Sequence, residues 1–399
     1  MTKVNNKKKV QNYRDLKKDF EWFKHHKDLV YLDNAATTLK PNQMIKKVQA
    51  FNEKINGIYD NQNKINTLTS KLVKQSKKLL SKFLEADEDE VFYTSGSTLS
   101  LNIAADLIED TLKPEDEIIV HYIEHGSNLL PWFKLKTRKN IKLILVGKDD
   151  PNIETNTFKK YINKNTKVVA FTGASNLLGN LVDTKNIIAE IKAINPNTYT
   201  VVDATQQLEH FPALCHETNC DFLVGSAHKI IGPTGLGFLY IKKDIQEHFN
   251  LSELNEMNNN DDLNTSAIVA FNESLKYWMK LGYEEIRRRE ALLKQYFLDH
   301  INRERIELYT PSINSPMITF NMLNNEKQII DAQDIEYYLN QHNILARSSL
   351  SCAKLAKYPL KTRNVVRVSL LFYNDFKDID KLINTINNFN PGDELNGLI

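Results

Sequence analysis

The order of apolar and polar positions divides the chain into two regions. Between residues 91 and 241, short apolar runs alternate with segments whose apolar residues recur at helical spacing, and each run ends in polar or small residues. This alternation predicts an α/β fold with a largely parallel sheet. The predicted strands cover residues 91–94, 117–120, 141–146, 167–171, 199–202, 222–224 and 238–241.

The flanking regions follow a different pattern. Residues 13–26 have the spacing of an amphipathic helix, 250–264 is an asparagine-rich predicted loop, and 268–301 is a long charged predicted helix. The remaining C-terminal strands and helices indicate a smaller α+β domain. We therefore predict an N-terminal helical segment that packs on the small domain, a large domain and a small C-terminal domain, over residues 1–30, 31–264 and 265–399.

Composition narrows the class of protein. The 52 basic and 50 acidic residues nearly cancel, which argues against a nucleic-acid partner. No apolar run has the length of a membrane span or a signal segment, so we expect a cytoplasmic protein. The three cysteines form neither a disulfide framework nor a metal-binding spacing, and no metal is predicted.

Polar residues follow the predicted strands at the point where each strand ends. In an open parallel sheet these carboxyl ends share one edge, where ligands bind. The residues that we expect to converge there are Ser97, Thr98, His125, Asn176, Asp203, Gln206, His228 and Lys229.

Lys229 stands between a strand and the glycine-rich turn 232–237. The alternatives are a solvated lysine beside a hairpin and a lysine that forms a Schiff base with pyridoxal phosphate. That cofactor also needs an anion site, a carboxylate for its pyridine nitrogen and a ring over its face, and Thr98, Asp203 and His125 supply them. The combination favours a Schiff-base lysine with pyridoxal phosphate over a solvated lysine.

These residues lie in motifs that resemble the class V family of pyridoxal-phosphate-dependent transferases. Within that family the chain is similar to the cysteine desulfurases, most closely those of the SUF type. The resemblance implies fold type I, with a large mostly parallel domain and a smaller C-terminal α+β domain. The matching residues are 31–36, Gly96, Ser97, Thr98, Asn102, Glu124, His125, Asn128, Pro131, Trp132, Ser175, Asn176, Gly179, 203–206, 225–237, Arg347, Cys352, Ala353, 366–370, Tyr373 and Asn374.

The resemblance also implies roles for single residues. Lys229 forms the Schiff base and moves the substrate Cα proton, Asp203 pairs with the pyridine nitrogen, and His125 stacks on the ring. Gln206 meets the cofactor 3′-oxygen, Asn176 lies near cofactor and substrate, and Arg367 binds the substrate carboxylate. The expected phosphate ligands are Ser97, Thr98, Ser226 and His228, and the other expected substrate contacts are Asn34, Ala35 and Arg347.

Cys352 lies among polar neighbours, which predicts a loop rather than a core position. The resemblance makes it the nucleophile that takes sulfur from L-cysteine and leaves L-alanine. A homodimer, a sulfur acceptor of the SufE/SufU type and a role in iron–sulfur cluster assembly are likewise implied. Alternatives on the same site are a selenocysteine lyase, a cysteine sulfinate desulfinase and a degenerate relative that acts as a binding partner.

Three departures from the family pattern bear on these expectations. Ser349, Leu350 and Ser351 stand where SUF-type relatives carry Gly-His-His. Asp262 falls at the position of a threonine that binds the phosphate of the other subunit, so Thr265 or Ser266 would have to replace it. Residues 63–66 lack an arginine and a histidine found in relatives, which bears on the dimer contacts.

Overall fold

The computed structural model describes residues 15–259, 263–390 and 392. Its strands and helices follow each other much as the apolar pattern predicts. The strands are β1 Val30–Tyr31, β2 Val91–Thr94, β3 Glu117–His121, β4 Lys142–Val146, β5 Thr166–Thr172, β6 Tyr199–Asp203, β7 Phe222–Ser226, β8 Gly237–Ile241, β9 Ile306–Leu308, β10 Met317–Met322, β11 Ile344–Leu345, β12 Arg347–Ser348 and β13 Val366–Ser369.

The α-helices of the described residues surround these strands. They are α1 Trp22–His25, α2 Asn42–Lys54, α3 Lys64–Leu84, α4 Ser97–Glu109, α5 Leu130–Lys139, α6 Thr184–Ile194, α7 Gln207–His210, α8 Cys215–Thr218, α9 Lys243–Gln246, α10 Ser252–Asn259, α11 Thr265–Leu281, α12 Tyr283–His300, α13 Ala332–Gln341 and α14 Phe376–Asn387. None of them combines the length and the apolar character that crossing a membrane requires.

Seven strands form the central sheet in the order β2-β8-β7-β6-β5-β3-β4. Strand β8 is antiparallel to β2 and β7, and the other neighbouring pairs are parallel. Every residue of β2, β3, β6, β7 and β8 is buried, as expected for strands covered on both faces. The prediction of a mostly parallel α/β sheet is confirmed, and its parallel strands end at one edge.

A second, antiparallel sheet has the order β12-β13-β10-β9 and its own apolar core. Helix α12 joins the two cores, because Ile286 packs with the large one and Leu293 and Phe297 with the small one. Helix α11 packs with the large core. We therefore propose a domain boundary within α12 rather than at residue 265.

Two predicted helices differ in the structure. The helix predicted over 268–301 is two helices that meet at Gly282, whose φ of +76° suits glycine. The helix predicted over 13–26 begins outside the described residues. From residue 15 onward it is replaced by the 3-10 turn Lys17–Asp19 and the single turn α1, because Phe20 between them inserts among the rings of Tyr277, Phe372 and Tyr373.

The loop predicted over 250–264 contains helix α10, so that prediction was wrong for the part described. Leu254 is buried, and the Asn258 side chain binds both backbone groups of Tyr93 in β2, with N–O distances of 2.6 and 3.2 Å. Strand β2 is at the edge of the sheet, where such groups lack strand partners. The Asn258 side chain therefore supplies partners to an edge strand, and Asp262 lies outside the described residues.

Candidate active site

A cavity of about 590 Å³ opens at the edge where the parallel strands end. All but one of the predicted site residues line it. They are Ala35, Ser97, Thr98, His125, Asn176, Asp203, Gln206, Ser226, His228, Lys229, Arg347, Cys352 and Arg367.

The exception is Asn34, which lies in the scaffold instead. Its side chain donates to the carbonyl oxygen of Ser369 at 2.7 Å and accepts from the Tyr373 hydroxyl. The family resemblance implied a substrate contact for Asn34. The structure shows that Asn34 ties the N-terminal segment to the strand that carries Arg367.

Lys229 ends a 3-10 turn directly after β7 and is buried. Its Nζ donates to the carbonyl oxygens of Ala35 and Ala36, the latter at 2.9 Å. Burial lowers the pKa of Lys229 to about 8, against the opposing effect of Glu209. A neutral amine is therefore accessible near neutral pH, as attack on a carbonyl carbon requires.

Asp203 and His125 come from neighbouring parts of the same edge. Asp203 ends β6, is buried, and accepts from the backbone N–H of Thr205 at 3.1 Å. The Nδ1 atom of His125 accepts from the N–H of Ser127 at 3.1 Å. Burial lowers the pKa of His125, so the ring is neutral with its proton on Nε2. A neutral ring suits stacking.

One end of the cavity is built to receive an anion. Helix α4 begins there at Ser97, whose N–H donates to the Ser226 hydroxyl at 2.9 Å, and the Thr98 and Ser127 hydroxyls lie 2.7 Å apart. A Cβ on Gly237 would come within 2.5 Å of the Gly96 Cα, so glycine lets β8 approach this turn. Helix dipole and hydroxyl donors together favour an anion.

Two arginines share one carboxylate at the other side of the cavity. Arg367 is buried and donates to Asp33 Oδ1 at 3.0 Å and to the backbone oxygen of Asn176 at 2.8 Å. Arg347 is exposed and donates to Asp33 Oδ2 at 2.7 Å. The two arginines and Asp33 together carry a net charge of +1, which can attract a substrate carboxylate. Asp33 was not predicted, although it directly precedes the predicted Asn34.

The segment that carries Cys352 is docked against the cavity. The N–H of Gly126 donates to the Cys352 carbonyl at 3.1 Å, and the Asn176 amide donates to the Ser351 carbonyl at 2.7 Å. Leu350, one of the three residues that replace Gly-His-His, packs in a small apolar cluster with Ile123 and Leu177. The segment is therefore anchored.

The three cysteines differ in exposure. Cys215 and Cys220 are buried, whereas Cys352 is exposed. Both predictions for these residues agree with the structure, since the first two pack as small apolar side chains and Cys352 lies on a loop.

Several buried polar atoms in the cavity wall lack a partner within the described residues. They are the Gln206 Oε1, the Thr205 and Ser351 hydroxyl oxygens and the Arg367 Nε. Buried groups of this kind are rarely left unsatisfied in proteins. Together with the anion site, the Asp203 carboxylate and the Lys229 amine, they fit pyridoxal phosphate with a substrate carboxylate beside it.

The lysine, the carboxylate and the anion site at one sheet edge define an α/β enzyme of the pyridoxal-phosphate transferase class. The chain belongs to the aminotransferase class-V family, whose model matches residues 30–382. This family is pyridoxal-phosphate-dependent.

Individual relatives agree with this assignment. The chain is 37% identical to a probable cysteine desulfurase of Ureaplasma parvum, over 96% of this chain and 100% of that protein. It is 30% identical to a Plasmodium berghei relative named PbSufS, over 93% and 78%. Its fold is similar to an apo cysteine desulfurase structure from Thermococcus onnurineus, with a TM-score of 0.86 at 24% identity, covering 94% and 98% of the chains. The predicted family and fold are thus confirmed.

The departures from the family pattern have local explanations. Thr265 is buried and donates to the carbonyl of Gly57 at 3.1 Å, so its hydroxyl is used within this chain. Ser266 donates to the Asn264 side chain at 3.2 Å and is half-buried. Asn63 caps helix α3 by accepting from the N–H groups of Ile65 and Asn66. Of the two proposed phosphate ligands, Ser266 is the more accessible, since Thr265 is buried.

Proposed function

We propose that this chain is a pyridoxal-phosphate-dependent L-cysteine desulfurase that produces L-alanine and a persulfide on Cys352. The observation that carries the proposal is the placement of an exposed cysteine, Cys352, in the wall of the cavity that also holds Lys229, Asp203 and Arg367. A thiolate is a nucleophile, so Cys352 can accept sulfur from a substrate bound in this cavity.

The residues divide the work by their position. Asp203, Gln206 and His125 would hold the cofactor ring, and Ser97, Thr98, Ser226 and His228 its phosphate. When bound, pyridoxal phosphate withdraws electrons from the substrate Cα. Arg367 binds the substrate carboxylate through a guanidinium that Asp33 and Asn176 orient. Lys229 Nζ, neutral near its pKa of about 8, takes the Cα proton.

The sulfur step balances without an external oxidant. The Cys352 thiolate attacks the substrate Sγ, an S–S bond forms, and the substrate Cβ–Sγ bond breaks. The electron pair of the broken bond stays on the substrate carbon, which takes up a proton and leaves as L-alanine. Cysteine and the Cys352 thiol thereby become alanine and a Cys352 persulfide.

The test separates cofactor binding from sulfur transfer. Cys352→Ala is expected to keep the yellow colour that borohydride abolishes, and to lose sulfide release from cysteine. Alkylation offers a matched control, because Cys215 and Cys220 are buried and only Cys352 is exposed. Iodoacetamide should therefore reproduce the variant. Sulfide release that survives both treatments would exclude Cys352 as the acceptor.

The substrate is best fixed by direct comparison. Cysteine, selenocysteine and cysteine sulfinate are to be assayed side by side, with mass-spectrometric mapping of the persulfide. We expect a Cys352 persulfide with cysteine. Turnover of selenocysteine or the sulfinate alone would replace this proposal with the corresponding lyase or desulfinase, and a colourless protein without turnover would indicate a binding partner.

We extend the proposal to the cellular context. Similarity to the relative named PbSufS supports a SufE/SufU-type sulfur acceptor and a role in iron–sulfur cluster assembly. Exposed Ile58, Ile65 and Leu68 before and within α3 support a homodimer, because apolar patches of this kind mark interfaces. The three free cysteines support a cytoplasmic location.

A further inference from the structure

The sequence around Cys352 has an unusual charge distribution. Between Glu336 and Asp375 there is no aspartate or glutamate, although the chain contains 50 acidic residues. The same stretch carries six cations. They are Arg347, Lys354, Lys357, Lys361, Arg363 and Arg367. Two of them, Arg347 and Arg367, are held by Asp33 at the cavity, so the other four are outside that arrangement.

The structure places part of this charge on the turn that follows Cys352. Lys354 and Lys357 lie on a 3-10 turn that begins two residues after Cys352, and both are exposed. Tyr358 follows with 44% of its surface exposed. We call Cys352, Lys354, Lys357 and Tyr358, together with Lys148, the Cys352 surface.

Aromatic contacts connect three of its members, Lys148, Lys357 and Tyr358. The Nζ atoms of Lys357 and Lys148 lie 5.1 and 6.0 Å from the centroid of the Tyr358 ring, and the Tyr122 ring lies 5.6 Å from it. In the described part of the chain, none of the three lysines forms an ion pair with a carboxylate within 4 Å. Asp149 and Asp150 follow Lys148 directly, so Lys354 and Lys357 contribute most of the surplus charge.

The turn is fixed rather than frayed. Ala353, Ala356 and Leu360 are buried in the same small apolar cluster as Leu350. Lys354, Lys357 and Tyr358 are therefore presented on a fixed turn directly after Cys352. Tyrosine side chains are enriched at protein interfaces, and complementary charge at the rim raises association rates.

We propose that the Cys352 surface docks an acidic sulfur-acceptor protein, whose thiol is flanked by carboxylates. This inference rests on the proposed desulfurase function. In the transfer, the acceptor thiolate attacks the terminal sulfur of the Cys352 persulfide. A new S–S bond forms, the bond between Cys352 Sγ and that sulfur breaks, and Cys352 leaves as a thiolate. The acceptor must supply a thiol, which favours a protein over a nucleic acid or a lipid surface.

The experiment uses the full-length protein loaded with pyridoxal phosphate and cysteine. The acceptors are two synthetic cysteine peptides of equal length, one flanked by glutamates and one by lysines, and dithiothreitol as an uncharged acceptor. The proteins are the unaltered chain, K354E/K357E, and K74E/K78E as a control with the same charge change on exposed lysines of α3. Mass spectrometry measures the rate of peptide persulfide formation.

We expect the glutamate peptide to be the faster acceptor by about tenfold at low salt, since complementary charge raises association rates. K354E/K357E should remove or reverse this preference, and K74E/K78E should keep it. The preference should vanish near 1 M salt, where the screening length falls to about 3 Å. Equal peptide rates at low salt, or an equal loss in both double variants, would overturn the proposal.

Two further measurements serve as controls, sulfide release to dithiothreitol and binding of RNA or anionic vesicles. Unchanged sulfide release to dithiothreitol in all three proteins shows that the substitutions spare the chemistry. Absence of release from the unaltered chain would refute the desulfurase function itself, which distinguishes the two failures. RNA or anionic-vesicle binding that K354E/K357E abolishes, without any preference between the peptides, would also overturn the proposal.

Discussion

The low pKa of Lys229 makes the pH dependence of cofactor capture a direct test of the site. Only the neutral amine attacks the aldehyde of pyridoxal phosphate, and burial lowers the pKa of Lys229 from 10.5 to about 8. At pH 7.5, a pKa of about 8 leaves about a quarter of the amine neutral, whereas a pKa of 10.5 leaves about a thousandth. The structure therefore predicts capture roughly 200-fold faster than by an unperturbed lysine.

The pH profile of the capture rate follows from the same pKa of Lys229. The capture rate should rise about tenfold per pH unit below pH 7 and level off above pH 8.5, because the amine is then already neutral. The measurement is the growth of the visible absorbance band after mixing the cofactor-free protein with pyridoxal phosphate. The same series with a free lysine derivative should keep rising to about pH 10 and corrects for titration of the cofactor itself.

Lys40 is the relevant internal competitor. Its pKa is lowered to about 7 by burial and by Lys229, and its Nζ donates to the carbonyl oxygen of Thr38 at 2.7 Å. Borohydride reduction followed by peptide mapping should place the adduct on Lys229, and Lys229→Ala should lose the band. A rate that climbs tenfold per unit beyond pH 9, or an adduct on Lys40, would refute the assignment.

Three substitutions test the scaffold around the site by thermal and urea denaturation. Asp33→Asn removes the carboxylate that faces buried Arg367, and we expect a loss of about 3 kcal/mol in the free energy of unfolding; an unchanged melting temperature would contradict this. Asn258→Ala should cost about 1–2 kcal/mol, because it frees two backbone groups of the edge residue Tyr93, which should then exchange faster with solvent deuterium. Gly282→Ala should cost about 1 kcal/mol through its φ of +76°, although the space around it is open; a neutral result would show that the two helices rejoin there.

The glutamate peptide, the Cys352→Ala variant and the pH profile test different steps of the proposed reaction. The pH profile tests the Lys229 amine, the cysteine variant tests Cys352 as the sulfur acceptor, and the peptides test sulfur transfer to the partner protein. The amine can be confirmed while the nucleophile fails, and both can be confirmed while the docking proposal fails. A normal profile together with surviving sulfide release from Cys352→Ala, for example, would keep the cofactor site and reject the nucleophile.

The site residues were predicted from the sequence more accurately than the extent of the surrounding helices. Lys229, Asp203, Thr98 and His125 each follow a strongly apolar strand, so the parallel sheet alone was enough to predict that they converge. The helices at 13–26 and 268–301 were wrong in extent, because their outcome depends on Phe20 inserting among distant rings and on the backbone angle of Gly282. The local spacing of apolar residues shows neither the insertion of Phe20 nor the backbone angle of Gly282.

What the sequence determined by itself is therefore the fold class, the family and the chemistry of the strand ends, since hydrophobic periodicity and motif order are local properties of the chain. The tertiary structure decided which carboxylate orients the arginines. It brought Asp33 to Arg367 and Arg347, residues more than 300 positions away, and moved Asn34 out of the cavity. It also anchored Cys352 through Asn176 and Leu350. Contacts of this kind depend on how distant segments pack, which no local pattern records.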